Sequence, residues 1–245
     1  MKLTESNYHT VEANQIFWSA SQYKQFARCE GAAMAQLRGE YQPKTTKAML
    51  VGLFVDNWMD GTLEQFKNEH PEVFTRRQVL RADFRKADEI IKRIKTDERF
   101  MKYLSGEHQK IMTFEFCGVP WKIKVDSFHP GICIADLKVV ANFYNMPKFR
   151  YDIQGAIYTA CAEANGYGQL PFYLACATKE AVTNFDIFRI DRPTLDLALR
   201  EIEGNMPRFQ RVKSGLEEPH YCGVCDYCKS VKKARIRNYS ELLEG

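Results

Sequence analysis

The chain has 245 residues, of which 35 are basic and 31 are acidic, giving a formal net charge of +4. A charge this small permits a polyanionic partner without indicating one. The longest apolar stretches, residues 132–140 and 170–177, are strand-sized, which excludes a membrane span of roughly 20 apolar residues. Because residues 1–6 lack the apolar core of a signal peptide, we expect a cytoplasmic protein with reduced cysteines.

The first hundred residues are predicted to be mainly helical. Ser19 and Ser21 can cap a helix that continues to about Arg38. Apolar residues near helical spacing predict two further helices, over residues 47–68 and 83–104. Glycines within the first of these two segments weaken its continuity.

From residue 110 the pattern changes to short β-rich segments separated by turn residues. The predicted elements are strands over 111–116, 121–127 and 132–139, a helix to about 163, strands over 172–177 and 185–190, and a final helix. Asn145 and Pro147 fit the start of the first of these helices, and Asp191 and Pro193 fit the start of the second. This order indicates an α/β fold in which helices flank a mixed β-sheet.

The length favours one domain over residues 1–245. We divide it into a helical N-terminal part (1–109), a catalytic α/β core (110–212) and a cysteine-rich basic tail (213–245). The tail is too short to bury a core of its own and is expected to fold around something else.

Two carboxylates and a lysine occupy one predicted hairpin. Asp126 ends a strand and Asp136 lies in the next, so the turn can bring them together. Lys138 shares the face of Asp136 because strand side chains repeat every second position. Carboxylates are ligands that Mg²⁺ prefers, and an ammonium can orient a water or stabilise developing negative charge. Alternatively, Asp126 is a turn residue and the other two form an exposed pair. The apolar residues around Asp136 favour a bound metal or partner.

This segment resembles the PD-(D/E)XK nuclease superfamily, whose pattern is Asp, a hairpin, Asp or Glu, any residue and Lys. Residues 151–158 are similar to the Q-x-x-x-Y helix motif of its RecB-like and lambda-exonuclease-like branch, with Gln154 and Tyr158 in the motif positions. On one helical face these two can contact the DNA backbone or brace the catalytic lysine. They can equally form a polar helix edge.

The same branch has a helical G-x-x-x-H motif whose histidine can bind metal. In this chain the corresponding segment begins at Gly52 but ends at Asp56 instead of a histidine. Asp56 can take the histidine's place as a metal ligand, or it can face solvent with its neighbour Asn57. Glu115, on the strand before Asp126, is a further candidate acid.

Three cysteines, Cys222, Cys225 and Cys228, follow one another at the spacing that wraps a loop around Zn²⁺ or an iron–sulfur cluster. Some RecB-like nucleases hold a [4Fe–4S] cluster with one N-terminal and three C-terminal cysteines, and this resemblance implies Cys29 as the fourth ligand. His220 competes for that role, and a group of free thiols is the remaining alternative.

A basic run follows the cysteines and can contact DNA phosphates. It consists of Lys229, Lys232, Lys233, Arg235 and Arg237. Lys148 and Arg150, just before the Q-x-x-x-Y helix, are additional candidates for DNA contact. A solvated tail is the alternative for the run.

Together with residues 18–24 and Cys29, these motifs make nearly the whole chain similar to RecE-like PD-(D/E)XK exonucleases of phages and prophages. The resemblance implies a restriction-endonuclease-like fold and two-metal hydrolysis of DNA ends. In this scheme Asp126, Asp136 and the carbonyl of Leu137 hold Mg²⁺ or Mn²⁺, and Lys138 positions the water. A single-strand annealing protein is an implied partner in recombination, and a homo-oligomer could confer processivity. A non-catalytic DNA-binding module organised by the cysteines is the competing class, and a zinc hydrolase is a weaker third.

Overall fold

The computed structural model describes residues 1–236, 238 and 239. The helices before the first strand are α1 (Val11–Ile16), α2 (Ala20–Arg28), α3 (Glu30–Leu37), α4 (Lys47–Met59), α5 (Leu63–Glu69), α6 (Ala82–Lys95) and α7 (Glu98–Leu104). The later elements are β1 (Glu107–Phe116), β2 (Val119–His129), β3 (Cys133–Val140), α8 (Tyr151–Ala164), β4 (Phe172–Thr178), β5 (Phe185–Ile190), α9 (Arg192–Lys213) and α10 (Asp226–Val231). Short 3-10 helices cover Pro71–Val73 and Phe143–Phe149.

The five strands form one sheet in the order β1-β2-β3-β4-β5. β3 and β4 are parallel and the other neighbours are antiparallel. The parallel pair requires a crossover, which α8 provides. The predicted α/β fold with a mixed sheet and flanking helices is therefore confirmed.

Two apolar clusters pack against opposite faces of the sheet. One contains buried residues of α2, α8 and α9 together with Leu174 and Cys176 of β4. The other contains residues of α4, α6 and α7 together with Ala175 and Ala177. The alternation along β4 follows from the two-residue period of a strand. Among the described residues, no helix is long and apolar enough to cross a bilayer.

Each long helix predicted in the first hundred residues is divided into two. The first divides at Cys29, whose φ of −168° and ψ of 104° are extended. The second divides near Gly61, which has a φ of +73°. The third divides at Asp97, whose side chain accepts the N–H of Phe100 and so caps a new helix. The short helix α1 was absent from the prediction.

The helix predicted to open at Asn145 begins instead at Tyr151. Asn142 caps a 3-10 helix over Phe143–Phe149, and Pro147 lies inside it. Proline lacks an N–H and disfavours α geometry in the preceding residue, so the regular helix starts only after it. Arg150, at a φ of 50°, provides the turn between the two helices.

Candidate active site

Asp126 and Asp136 lie where β2 and β3 separate. The ladder between these strands pairs Ser127 with Ala135 and ends there, one step before the two aspartates. Beyond that point Asp126 Oδ2 accepts the N–H of Leu137 at 3.2 Å, taking the place of a backbone partner. The hairpin thus brings both carboxylates together at the opening between the strands.

Lys138 joins the two aspartates. Its Nζ forms an ion pair with Asp136 Oδ2 and lies 4.0 Å from Asp126 Oδ2. Burial disfavours the ammonium, but the charges of Asp136, Asp126 and Asp56 outweigh it and raise the pKa of Lys138. The side chain is therefore a cation at neutral pH and can donate hydrogen bonds.

Asp136 has the features of a metal ligand. Its side chain is 1% exposed. Gln154 Nε2 donates to its Oδ1 at 2.7 Å. Its buried Oδ2 contacts the Lys138 ammonium in the ion pair and, within the described part of the chain, receives no other hydrogen bond. A buried carboxylate oxygen with free lone pairs suits a hard divalent cation.

Asp56 approaches the same cleft from α4. Burial raises its pKa to about 7, and although Lys138 opposes the shift, the nearby Asp136 and Asp60 add to it. Burial and the charge of Asp136 also raise the pKa of Asp126 well above its usual range. Because the charge of Asp136 disfavours the ionisation of Asp56 and Asp126, a cation placed among them would favour the charged forms of these two carboxylates. The donor set of Asp56, Asp126 and Asp136 therefore fits a divalent cation such as Mg²⁺ or Mn²⁺.

Gln154 and Tyr158 both point from α8 to the separating strands. Gln154 holds Asp136 of β3, whereas the Tyr158 hydroxyl donates to the carbonyl of Lys124 in β2 at 2.8 Å. Burial raises the pKa of Tyr158 well above 10, so it stays a neutral donor. These contacts favour a positioning role for the pair over contact with DNA.

The carboxylates line a cleft of about 660 Å³ that contains residues missed in the sequence. Lys124 lines it two positions before Asp126, a strand spacing that could have revealed it. Gln109 has a φ of 53° and donates to Asp60 Oδ1 at 3.1 Å, so β1 also contributes. Glu115, paired with Pro120 near the far end of β1, is outside the cleft lining.

A basic groove of about 490 Å³, which we call the α2 groove, contains Lys24, Arg28, Lys148 and Arg150. Lys24 Nζ donates to the carbonyl of Phe149 at 3.2 Å. It lies 5.8 Å from the ring centre of Tyr151, and Lys138 Nζ lies 5.8 Å from that same centre. One tyrosine ring thus links the α2 groove to the carboxylate site.

The predicted DNA-contact residues differ in their surroundings. Arg150 forms ion pairs with Asp152 and Glu201, so its charge is largely engaged within the protein. Lys148 donates to Asn145 Oδ1 and remains exposed. Lys232, Lys233 and Arg235 are exposed beyond α10, and Arg237 lies outside the described residues.

The four cysteines Cys29, Cys222, Cys225 and Cys228 form a thiol cage. Their sulfur atoms all lie within 4.8 Å of one another. The Sγ of Cys228 is 3.5 Å from that of Cys29 and 3.9 Å from that of Cys222. Backbone N–H groups lower the pKa of Cys222 to about 6, which favours the thiolate that binds metal. The cage therefore fits a bound metal.

His220, the alternative fourth ligand, takes part through its backbone. Its N–H donates to Glu30 Oε2 at 2.7 Å, and its carbonyl faces Cys29 Sγ at 4.0 Å. Glu30 also binds Arg208 of α9 through both oxygens at 2.8 Å. The ion pair joins α3 to α9, and the hydrogen bond from the His220 N–H to Glu30 attaches the tail to this pair beside the cage.

The fold and the Asp126, Asp136 and Lys138 constellation define a member of the PD-(D/E)XK nuclease superfamily. The chain belongs to the family described as PDDEXK-like domain of unknown function (DUF3799), whose model matches residues 19–231.

Among solved structures, the chain is similar to a candidate exonuclease from Eubacterium rectale. The two are 40% identical over 99% of this chain and 98% of the other, with a TM-score of 0.95. SSO0001 aligns over 89% of this chain and 96% of its own at 13% identity, but its TM-score of 0.33 is too low to inform the structure. No curated protein matches the chain. The superfamily and the first of these neighbours support a nuclease.

Proposed function

We propose that the protein is a divalent-metal-dependent DNA nuclease that acts as an exonuclease on linear ends. The observation that carries this proposal is the buried Asp136 Oδ2, which no donor other than the Lys138 ammonium contacts among the described residues. Asp126 and Asp56 surround the same cleft. The similarity to a candidate exonuclease over nearly the full chain supports the choice of exonuclease.

Asp56, Asp126, Asp136 and the carbonyl of Leu137 would hold the cations. Bound divalent cations supply positive charge that neutralises the scissile phosphate and lowers the pKa of the attacking water. Lys138 donates a hydrogen bond that orients this water or stabilises charge developing on a phosphate oxygen. Gln154 fixes the orientation of Asp136, and Tyr158 secures β2 to α8, so the ligands are held before DNA arrives.

The proposal is tested with linear and covalently closed circular DNA of the same sequence, with Mg²⁺ or EDTA. We expect the linear form alone to be degraded, only with Mg²⁺, and activity to return when excess Mg²⁺ follows EDTA. A non-catalytic binding module would behave differently. It would bind DNA in a salt-sensitive manner, with or without Mg²⁺, and would give no cleavage products.

We also propose that the α2 groove binds the DNA backbone next to the cleaved bond. Lys24→Ala is expected to reduce the slope of log affinity against log salt by about one unit, since one phosphate contact is lost. Fluorescence anisotropy across a salt series measures this slope. Lys92→Ala is the matched control, because Lys92 is exposed on α6 and pairs with Asp88. An unchanged slope for Lys24→Ala would exclude the groove as a backbone contact.

For the thiol cage we propose a single Zn²⁺ ion. Tetrahedral coordination at about 2.3 Å separates sulfurs by about 3.8 Å. The cage sulfurs all lie within 4.8 Å of one another, and two of their separations are 3.5 and 3.9 Å. A [4Fe–4S] cluster attaches each thiolate to a different iron, so its sulfurs must lie farther apart than those on one ion. We also propose a reducing cytoplasm as the setting, where the cage thiols stay available to bind metal.

The wider setting is proposed from the resemblance to RecE-like exonucleases. It comprises recombination with a single-strand annealing protein, two-metal hydrolysis and assembly into a homo-oligomer. We further propose that parts 1–109, 110–212 and 213–245 act as one unit. In support, Asp56 of the first part enters the cleft, and Cys29 joins the thiols of the third.

A further inference from the structure

Three tyrosines form a continuous aromatic strip beside the thiol cage. The ring centres of Tyr41 and Tyr227 are 5.1 Å apart. Those of Tyr227 and Tyr221 are 6.4 Å apart, and these two rings are stacked with 20° between their planes. Tyr221, at the outer end, is 57% exposed. The strip therefore presents an exposed aromatic ring at its outer end, and such rings can stack on other flat rings.

The strip runs along α3, and one of its ends is next to the catalytic cleft. The N–H of Tyr41 donates to the carbonyl of Ala35 at the C-terminal end of α3, beside Gln36 and Leu37, which line the cleft. Tyr221 lies over Gly31 at the other end, where an added Cβ would be 2.6 Å from the ring. The strip thus leads away from the cleft along α3, a helix about 12 Å long at 1.5 Å per residue.

The cage holds two of the three rings in place. Tyr221 and Tyr227 each precede a cage cysteine, Cys222 and Cys228. The N–H of Gly31 also donates to the carbonyl of His220 at 3.0 Å. Rings fixed in this way lose little conformational freedom when a flat partner stacks on them.

We propose that the strip binds unpaired nucleotides of single-stranded DNA that enter or leave the cleft. Bases of a single strand stack on aromatic side chains without regard to sequence, whereas bases of a duplex are already stacked within it. Arg38 at the end of α3 and the exposed Lys229 of α10 supply positive charge for the phosphates. The proposal rests on the proposed nuclease function and names the form of DNA that this site receives.

The test measures binding of labelled oligo-dT and of a duplex by fluorescence anisotropy, in an Asp136→Ala background that prevents cleavage. Tyr221→Ala is expected to weaken oligo-dT binding at least about fivefold, which corresponds to the ~1 kcal/mol lower limit for stacking one base. Duplex binding should remain within twofold of the background protein. Tyr221→Phe should retain oligo-dT binding, whereas Tyr221→Leu should not, because only the former keeps the ring.

Metal content is measured in each variant to separate stacking from damage to the cage. Tyr41→Ala provides a second variant outside the thiol segment, and it should also weaken oligo-dT binding. Unchanged oligo-dT affinity in both alanine variants would overturn the proposal, as would an equal loss of duplex binding. These outcomes are independent of DNA degradation by the parent protein, so the strip and the nuclease function can fail separately.

Discussion

Lys138→Ala is expected to reduce the rate of DNA hydrolysis by at least about 10²–10³-fold, the usual cost of losing one hydrogen-bond donor that acts on transition-state charge. The ammonium contacts Asp136 Oδ2 and has its pKa raised by three carboxylates, so the wild-type site holds a fixed positive charge. Single-turnover digestion of end-labelled linear DNA measures the loss. DNA affinity should change little, because the phosphate contacts proposed for Lys24 and Lys148 remain.

Asp136→Asn complements this variant because it keeps the shape of the side chain. The amide oxygen can still accept from Gln154, but the anionic oxygen at the Oδ2 position is lost. We expect that this variant does not detectably digest DNA and that it binds Mg²⁺ more weakly than the parent in a calorimetric titration. Glu115→Gln is the matched control, since it removes an acid from β1 outside the cleft lining. Digestion by Asp136→Asn at the parent rate would contradict the assignment of this site.

The sequence predicted the sheet well because strand periodicity and turn residues are local signals. The hairpin with Asp126, Asp136 and Lys138 could be located for the same reason. The helix boundaries were harder to predict from the sequence. At the break between α2 and α3, the thiol of Cys29 joins a cage with residues nearly two hundred positions later, and no local propensity records that contact.

Other parts of the site depend on contacts between distant segments. Lys24 reaches the site through the ring of Tyr151, and Arg150 is engaged by Glu201, 51 positions away. From the sequence, Arg150 resembles any exposed cation. Gln154 and Tyr158 were identified by resemblance, but their partners, Asp136 and the carbonyl of Lys124, could be assigned only from the packing of α8 on the strands.

Cys29→Ser is expected to remove the metal from the cage and to destabilise the protein. The parent should contain one zinc per chain and lack the brown absorbance of an iron–sulfur cluster, whereas the variant should have substoichiometric metal. Metal binding to a structural site contributes directly to folding, so losing one ligand should lower the free energy of unfolding, and with it Tm by roughly 2–4 °C for each kcal/mol lost in a chain of this size. Elemental analysis and thermal unfolding measure both effects.

Cys117→Ser is the matched control for this experiment. Cys117 lies outside the cage, and burial raises the pKa of its thiol to about 11, so it remains protonated and does not compete for metal. It should keep the parent's zinc content and nearly the parent's Tm. A brown parent protein containing iron would contradict the single-ion proposal while leaving the four-cysteine cage intact. Full metal content in Cys29→Ser would instead exclude Cys29 as a ligand.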